Sequence, residues 1–119
     1  MYLIRAEAQL ALGNPAGAAT AINVLRTRAT LPGHSAQMQV TPAQMTLDFI
    51  LDERARELAG EQLRWFDLKR TGKLVERVKA HNPDAAPYIQ PFHQLRPIPQ
   101  RQIDAVSNRD VFTQNPGYQ

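Results

Sequence analysis

Two glutamates, Glu53 and Glu57, are of the residue type that acid–base catalysis uses. A glycosidase needs two carboxylates that lie on either side of the bond it cleaves. Residues four apart on a helix lie on the same face, so these two carboxylates point the same way and leave no room for a substrate between them. We therefore predict no catalytic residues and expect that the protein is not an enzyme.

Metal and cofactor chemistry finds no support in the sequence. The histidines, His34, His81 and His93, are far apart, and no two have the spacing of a zinc motif such as HExxH. The chain has no cysteine, which excludes a thiolate metal site, a disulfide and a lipidated cysteine within it. No glycine-rich loop follows a strand pattern. We predict no metal and no cofactor.

The stretch RWFDLKR, residues 64–70, is the strongest candidate for ligand binding. A tryptophan beside arginine and aspartate is typical of a sugar-stacking platform, which makes Arg64, Trp65 and Asp67 the candidate ligand-binding residues. The alternative is structural, because Trp65 and Leu68 share one face of a helix while Asp67 and Arg70 pair on another. With no second tryptophan, the pattern favours aromatics that face inward and anchor a core.

Composition limits the elements that position these residues. The 119 residues are 43% hydrophobic and 21% charged, which is typical of one ordinary globular domain. No apolar run approaches the roughly 18 residues of a membrane-spanning helix, and Arg5 and Glu7 interrupt the stretch that a signal peptide needs. The net charge is +3, but the basic residues are scattered, so we predict no nucleic-acid partner.

Residues 1–29 predict a helical hairpin. Apolar residues recur at helical spacing up to Leu12, Gly13 suits the left-handed end of a helix, and Pro15 suits the first turn of the next. The pattern A-x-x-x-L-G from Ala8, followed by an alanine-rich second helix, resembles a tetratricopeptide unit. A plain hairpin that binds nothing is the alternative.

Residues 41–81 predict further helices. Thr41 and Pro42 are expected to start a long helix that ends near Gly60. Its inward face is expected to contain Leu47, Ile50, Leu51, Arg54 and Leu58. Glu53, Glu57 and Glu61 follow one another at spacings of four, so they need a cation from elsewhere, and Arg64 is the nearest candidate.

Residues 82–119 predict mostly loop with a short helix. Six of the nine prolines fall between Pro83 and Pro116. Pro97 and Pro99 hold the backbone extended before a short helix, and Tyr118 is a candidate anchor for the end of the chain. The predicted fold class is all-α, with a tetratricopeptide-like hairpin, further helices and a long proline-rich irregular C-terminal segment. We expect residues 1–119 to be a single domain or a fragment.

Three motifs in order carry a family resemblance: ILDERARELAGEQLRWFDLKRTGKL, then LRPIPQRQID, then TQNPGY. Together they resemble the C-terminal region of SusD/RagB proteins. The resemblance implies a surface-exposed lipoprotein of the Bacteroidetes outer membrane. Such a protein captures glycans without cleaving them and passes them to a SusC-like TonB-dependent transporter.

The resemblance also implies an architectural role for the matching residues. They are Glu53, Arg54, Glu57, Leu58, Arg64, Trp65, Asp67, Leu68, Arg96, Pro97, Ile98, Pro99, Asn115, Pro116, Gly117 and Tyr118. Family members are several times longer, with a signal peptide, an acylated cysteine and most of the glycan platform in their N-terminal part. We therefore expect this chain to be the C-terminal scaffold portion, either a fragment or a short form.

Two further expectations concern partners. A tetratricopeptide-like hairpin can instead be a module for protein–protein interaction. A single repeat also leaves one apolar face uncovered, since such repeats are stable when they stack. We expect a homodimer through residues 2–25, with Tyr2, Leu3 and Leu10 facing the neighbour.

Overall fold

The computed structural model describes residues 1–108 and 110–118, and these residues form helices and irregular segments without any strand. The helices in the described part are α1 (Tyr2–Ala11), α2 (Pro15–Ala29), α3 (Ser35–Met38), α4 (Leu47–Glu57), α5 (Arg64–Arg70), α6 (Leu74–His81) and α7 (Gln100–Ala105). The predicted all-α class is confirmed. The chain divides into two compact units, Met1–Arg64 and Trp65–Gln119.

The turn between α1 and α2 forms as its residue types predict. Gly13 has φ +74°, a conformation that costs residues with a Cβ but not glycine. The Asn14 side chain then accepts a hydrogen bond from the Gly17 backbone N–H at 2.9 Å and caps α2, whose first residue is Pro15. The two helices therefore fold back on each other as a hairpin.

Small side chains hold the hairpin together. The core of the first unit contains Leu3, Ala6, Ala18, Ala19, Ala21, Ile22, Leu25, Val40, Met45 and Ile50. The alanines let the helix backbones approach closely, and α4 packs against α1. Asn23 on α2 bonds both the N–H and the C=O of Val40, at 2.8 and 3.0 Å, and so fixes the loop that leads to α4.

The predicted start of the long helix is wrong. Pro42–Gln44 forms only a 3-10 turn, which a capping box between Thr41 and Gln44 closes. The chain is extended at Thr46, which caps α4 by accepting a hydrogen bond from Phe49 N–H at 3.1 Å. Both threonines have N-cap chemistry, so sequence alone did not decide between them. The segment between α2 and this turn also contains the short helix α3.

The expected dimer face is also corrected. Leu3 is only 5% exposed, and Leu10 packs partly buried against the core, so neither lies on the outer surface of α1. Tyr2, the third residue expected to face the neighbour, is 42% exposed, and Ile4 at 60% and Leu12 at 78% are exposed as well. Self-association through residues 2–25 stays a prediction, with Tyr2 as the exposed member of the expected face, and sedimentation equilibrium would measure it.

The second unit has few buried apolar side chains and many specific hydrogen bonds. Leu68, Leu74 and Ile89 are its buried apolar residues within the described part. A 3-10 turn at Pro91–Gln94 packs against α6. Most of the chain after α6 is irregular, with α7 as its α-helix.

The end of the chain is tied back by three side chains, which we call the C-terminal latch: Gln114, Asn115 and Tyr118. The Gln114 amide accepts from Ile98 N–H at 2.7 Å and donates to Ile98 C=O at 2.8 Å. Asn115 donates to Arg96 C=O and Tyr118 donates to Leu95 C=O, each at 2.7 Å. The latch therefore satisfies four backbone groups of residues 95–98 with side chains rather than with a neighbouring strand.

Candidate functional site

The glutamates of α4 are held in ion pairs with arginines of α2. Arg26 donates Nε and Nη2 to the two carboxylate oxygens of Glu53, at 3.1 and 2.9 Å, and Arg56 donates to the same carboxylate at 2.8 Å. Arg28 pairs with Glu57. Both carboxylates are thus engaged by guanidinium groups, as structural ion pairs are.

The electrostatics of Glu53 follow from this pairing. Burial alone would raise the pKa of this carboxyl, because a low-dielectric surrounding disfavours the charge. Hydrogen bonds and coulombic attraction from Arg26 and Arg56 outweigh burial, so the pKa lies below its ordinary value of 4.5. Glu53 therefore stays ionised at neutral pH and is unsuited to act as a general acid.

Sequence reasoning did not find the cations that neutralise α4. It selected Arg64, which donates Nη1 to the Leu51 carbonyl at 2.6 Å. That Arg64 also pairs with Glu57, Glu61 or Asp67 stays a prediction. Arg26 and Arg28 lie more than 20 residues away in sequence. No local pattern marks them, because these arginines of α2 reach the glutamates of α4 only in the folded chain.

The RWFD segment divides its side chains between interior and surface. Asp67 is 5% exposed, and Arg70 donates Nε and Nη2 to its Oδ1 at 3.1 and 2.9 Å, which confirms the predicted pair three residues apart. Trp65 is half-buried. Phe66 is 59% exposed, so the expectation that both aromatics face inward is wrong.

An exposed arginine lies over these aromatic rings. The Arg96 guanidinium carbon is 5.5 Å from the centroid of Trp65 and 5.9 Å from that of Phe66, within the range of a cation–π contact. We call these three residues the Arg96 surface. Pro97 follows Arg96 directly, and Pro99 comes two residues later, at the start of α7. The folded chain therefore brings RWF and LRPIP, parts of two of the motifs that carry the family resemblance, into contact within the second unit.

The first unit also has a concave surface. An open groove of about 460 Å³ lies along α2, lined by Thr20, Asn23, Val24, Thr27 and Gln39. Asn23, Gln39 and the hydroxyls of both threonines already hydrogen-bond within the chain, which leaves mainly methyl groups facing the groove. Within residues 1–108 and 110–118, no three histidine or acidic side chains lie together as a metal site would require.

Comparison with known proteins agrees with the motifs. The profile of the SusD family matches residues 1–118. The chain belongs to the SusD family. Two curated relatives from Formosa agariphila are similar to it: SusD-like protein P25, 34% identical over 87% of this chain, and SusD-like protein P38, 38% identical over 64%. No solved structure matches the chain.

The chain corresponds to only part of the length of these two relatives. The matches correspond to 20% of SusD-like protein P25 and 16% of SusD-like protein P38, so the chain spans about a fifth of these relatives or less. In the described part of the chain, no helix is long and apolar enough to cross a membrane.

Proposed function

We propose that this chain is the C-terminal scaffold portion of a non-catalytic glycan-binding component of a SusC/SusD-type uptake system. The observation that carries the proposal is the SusD family match over residues 1–118. The partners are then a SusC-like TonB-dependent transporter and a glycan, and the location is the exposed surface of the outer membrane.

The contacts of the acidic residues support a binding role rather than hydrolysis. Glu53 and Glu57 are both paired with arginines, and Asp67 is paired with Arg70. A glycosidase needs one carboxyl group that can donate a proton and a second across the scissile bond. A carboxylate held ionised by two guanidinium groups does not meet the first requirement.

The same contacts support the scaffold role. Glu53 joins α4 to α2, Asp67 closes on Arg70 within α5, and Arg96 brings the proline-rich segment onto Trp65. These are residues that match the family's motifs. The contacts of Glu53 and Arg96 join separate elements within each unit, as an architectural role requires.

Copurification tests the uptake role. The gene would be tagged in the bacterium that carries it, and outer membranes would be solubilised and purified on the tag. We expect a TonB-dependent transporter to copurify in amounts comparable to the tagged protein, and surface protease treatment of intact cells to remove the tag. A tag that stays inside the cell and brings down no transporter would contradict the proposal.

The second candidate, a tetratricopeptide-like module for protein interaction, rests on a separate observation. Ile4 and Leu12 are exposed on the hairpin, where a further helix or a partner would cover them. The gene neighbourhood separates the two. An adjacent transporter gene of the SusC type supports uptake, and its absence together with failed copurification supports the module.

A further inference from the structure

The Arg96 guanidinium is an exposed cation without a carboxylate partner among the described residues. Arg26, Arg28, Arg56 and Arg70 each contact a carboxylate. Arg96 contacts only aromatic rings, and it has no other interaction with the described residues through its side chain. Its five N–H donors are therefore open to an anion from outside the chain.

The position of this cation is fixed before any ligand arrives. Two rings hold the guanidinium, and the latch holds the backbone on both sides of it, through Leu95 C=O and Arg96 C=O. Arg5 and Arg101 are also exposed and lack a carboxylate partner in the described chain, but neither lies over an aromatic ring. A side chain that is already ordered loses less entropy on binding, so Arg96 is the better suited of the three.

We propose that the Arg96 surface is a subsite for a sugar that carries a carboxylate, as a uronate unit of an acidic glycan does. A guanidinium binds a carboxylate through two parallel hydrogen bonds. The exposed Phe66 ring beside it offers an apolar face on which the C–H groups of a pyranose ring pack. One uronate unit presents both groups. The inference rests on the proposed function, whose ligand class it narrows.

The surroundings favour a sugar over an acidic peptide. An extended peptide gains affinity by pairing its backbone with an exposed edge. Here the latch already occupies the carbonyls of Leu95 and Arg96 and both polar groups of Ile98, and Pro97 has no N–H. The occupied groups therefore interrupt the backbone edge that such a peptide needs, while the Arg96 and Phe66 side chains stay exposed.

The fluorescence of Trp65 can report binding, because Trp65 is the single tryptophan of the chain and lies against Arg96. The 119-residue chain would be titrated with tetragalacturonate and with its fully methyl-esterified form, which has the same backbone without charge. We expect a saturable change in Trp65 fluorescence with the acid, and an affinity for the ester that is weaker by about tenfold or more.

Variants assign the effect to Arg96. Arg96→Gln should weaken tetragalacturonate binding by about tenfold. Arg96→Lys should retain part of the affinity, since lysine keeps the positive charge but cannot form the two parallel hydrogen bonds of a guanidinium. Arg101→Gln removes the same charge from an exposed arginine of the same unit and should leave binding unchanged. Thermal unfolding checks that each variant is folded. The acid–ester comparison uses the unaltered chain and so decides the matter even if a variant unfolds.

Four results would overturn the subsite: equal affinity for acid and ester, full binding by a folded Arg96→Gln, tetraglutamate binding as tight as tetragalacturonate, or no saturable signal with the acid. If acid and ester bind equally well, the subsite is rejected and glycan binding is left intact. Uronate binding without copurification of a transporter would reject the uptake role and leave the subsite.

Discussion

In the first unit, Met1–Arg64, helices meet through fully buried aliphatic and alanine side chains, whereas in the second, Trp65–Gln119, irregular backbone is held by individual polar side chains. Ile22, Ile50 and Leu51 are fully buried in the first unit, and among the described residues of the second Leu74 is the comparable side chain. The first unit has one comparable pair of bonds, from the Asn23 side chain to both polar groups of Val40, but there it lies beside an apolar core that contains Val40 itself.

The difference has a thermodynamic consequence. Apolar burial adds up over a contact area, while a hydrogen bond contributes a net ~0.5–1.5 kcal/mol, because folding exchanges it for bonds to water. A unit held by a few such bonds opens at lower free energy than one held by a core. We therefore expect amide hydrogens of the second unit to exchange faster than those of α1, α2 and α4.

The largest effect is expected in the core of the first unit. Ile22→Ala removes a fully buried side chain and should lower the free energy of unfolding by about 2–5 kcal/mol. Val24→Ala, on the same helix but 43% exposed, is the matched control and should cost less than about 0.5 kcal/mol. Urea unfolding followed by circular dichroism measures both. Equal costs would mean that the hairpin core is not what holds this unit.

A glycine near the end of the chain tests how tightly the latch is packed. Gly117 has φ +89°, and a Cβ there would clash with the Phe92 ring, so Gly117→Ala should cost about 2–4 kcal/mol from backbone strain and overpacking together. Gly72 has φ +69° and open space around it, so Gly72→Ala should show the backbone cost of about 1–2 kcal/mol alone. The difference in urea midpoint between the two variants isolates the contact with Phe92. Identical midpoints would show that Phe92 moves aside for the new methyl group without a loss of stability.

The ion pairs of the first unit should have a pH signature. Glu53→Gln removes charged hydrogen bonds with Arg26 and Arg56 and should cost about 1.5–3 kcal/mol at pH 7. Because the folded-state pKa of Glu53 is lowered, its contribution is full above the ordinary value of 4.5 and is lost as pH falls through the folded-state value. The gap in free energy of unfolding between the unaltered chain and Glu53→Gln should therefore close on acidification below 4.5.

An exposed glutamate provides the reference for that series. Glu61→Gln should change stability by less than about 0.5 kcal/mol at any of these pH values. A gap for Glu53→Gln that stays constant from neutral to acid pH would contradict the assignment of its lowered pKa to folding.

The smallest effect is expected from a single latch hydrogen bond. Tyr118→Phe removes the donor to Leu95 C=O and keeps the ring against Phe92, so the cost should be about 0.5–1.5 kcal/mol. Tyr88→Phe, at a tyrosine that is 76% exposed, is the control and should be near neutral. Native-state hydrogen exchange should detect the Tyr118 change in the second unit and not in α2. If Tyr118→Phe reduced the protection of amide hydrogens equally in both units, the proposed difference in stability between the units would be contradicted.

The hairpin was the part of the fold that sequence predicted best. Helical spacing, Gly13 and Pro15 defined α1 and α2 nearly to the residue, because local rules determine both ends. The RWFDLKR helix was likewise predicted with its observed bounds, as was the pairing of Asp67 with Arg70. These features depend on residues close together in the chain.

Features that depend on distant residues were not predictable in the same way. Phe66 and Trp65 are neighbours of similar character, and only the folded chain leaves one exposed and the other half-buried. The stacking of Arg96 on both rings joins residues about 30 positions apart. No periodic signal marks such a contact, although the family motifs had already drawn attention to each partner.

The side-chain capping of residues 95–98 also bears on solubility. An extended segment with free N–H and C=O groups is a template on which another chain can add as a strand, and this is a common route to aggregation. Pro97 and Pro99 lack N–H donors, and the latch occupies the carbonyls of Leu95 and Arg96 and both groups of Ile98. The backbone groups that the latch occupies are thereby unavailable for intermolecular β-pairing for as long as the latch stays closed.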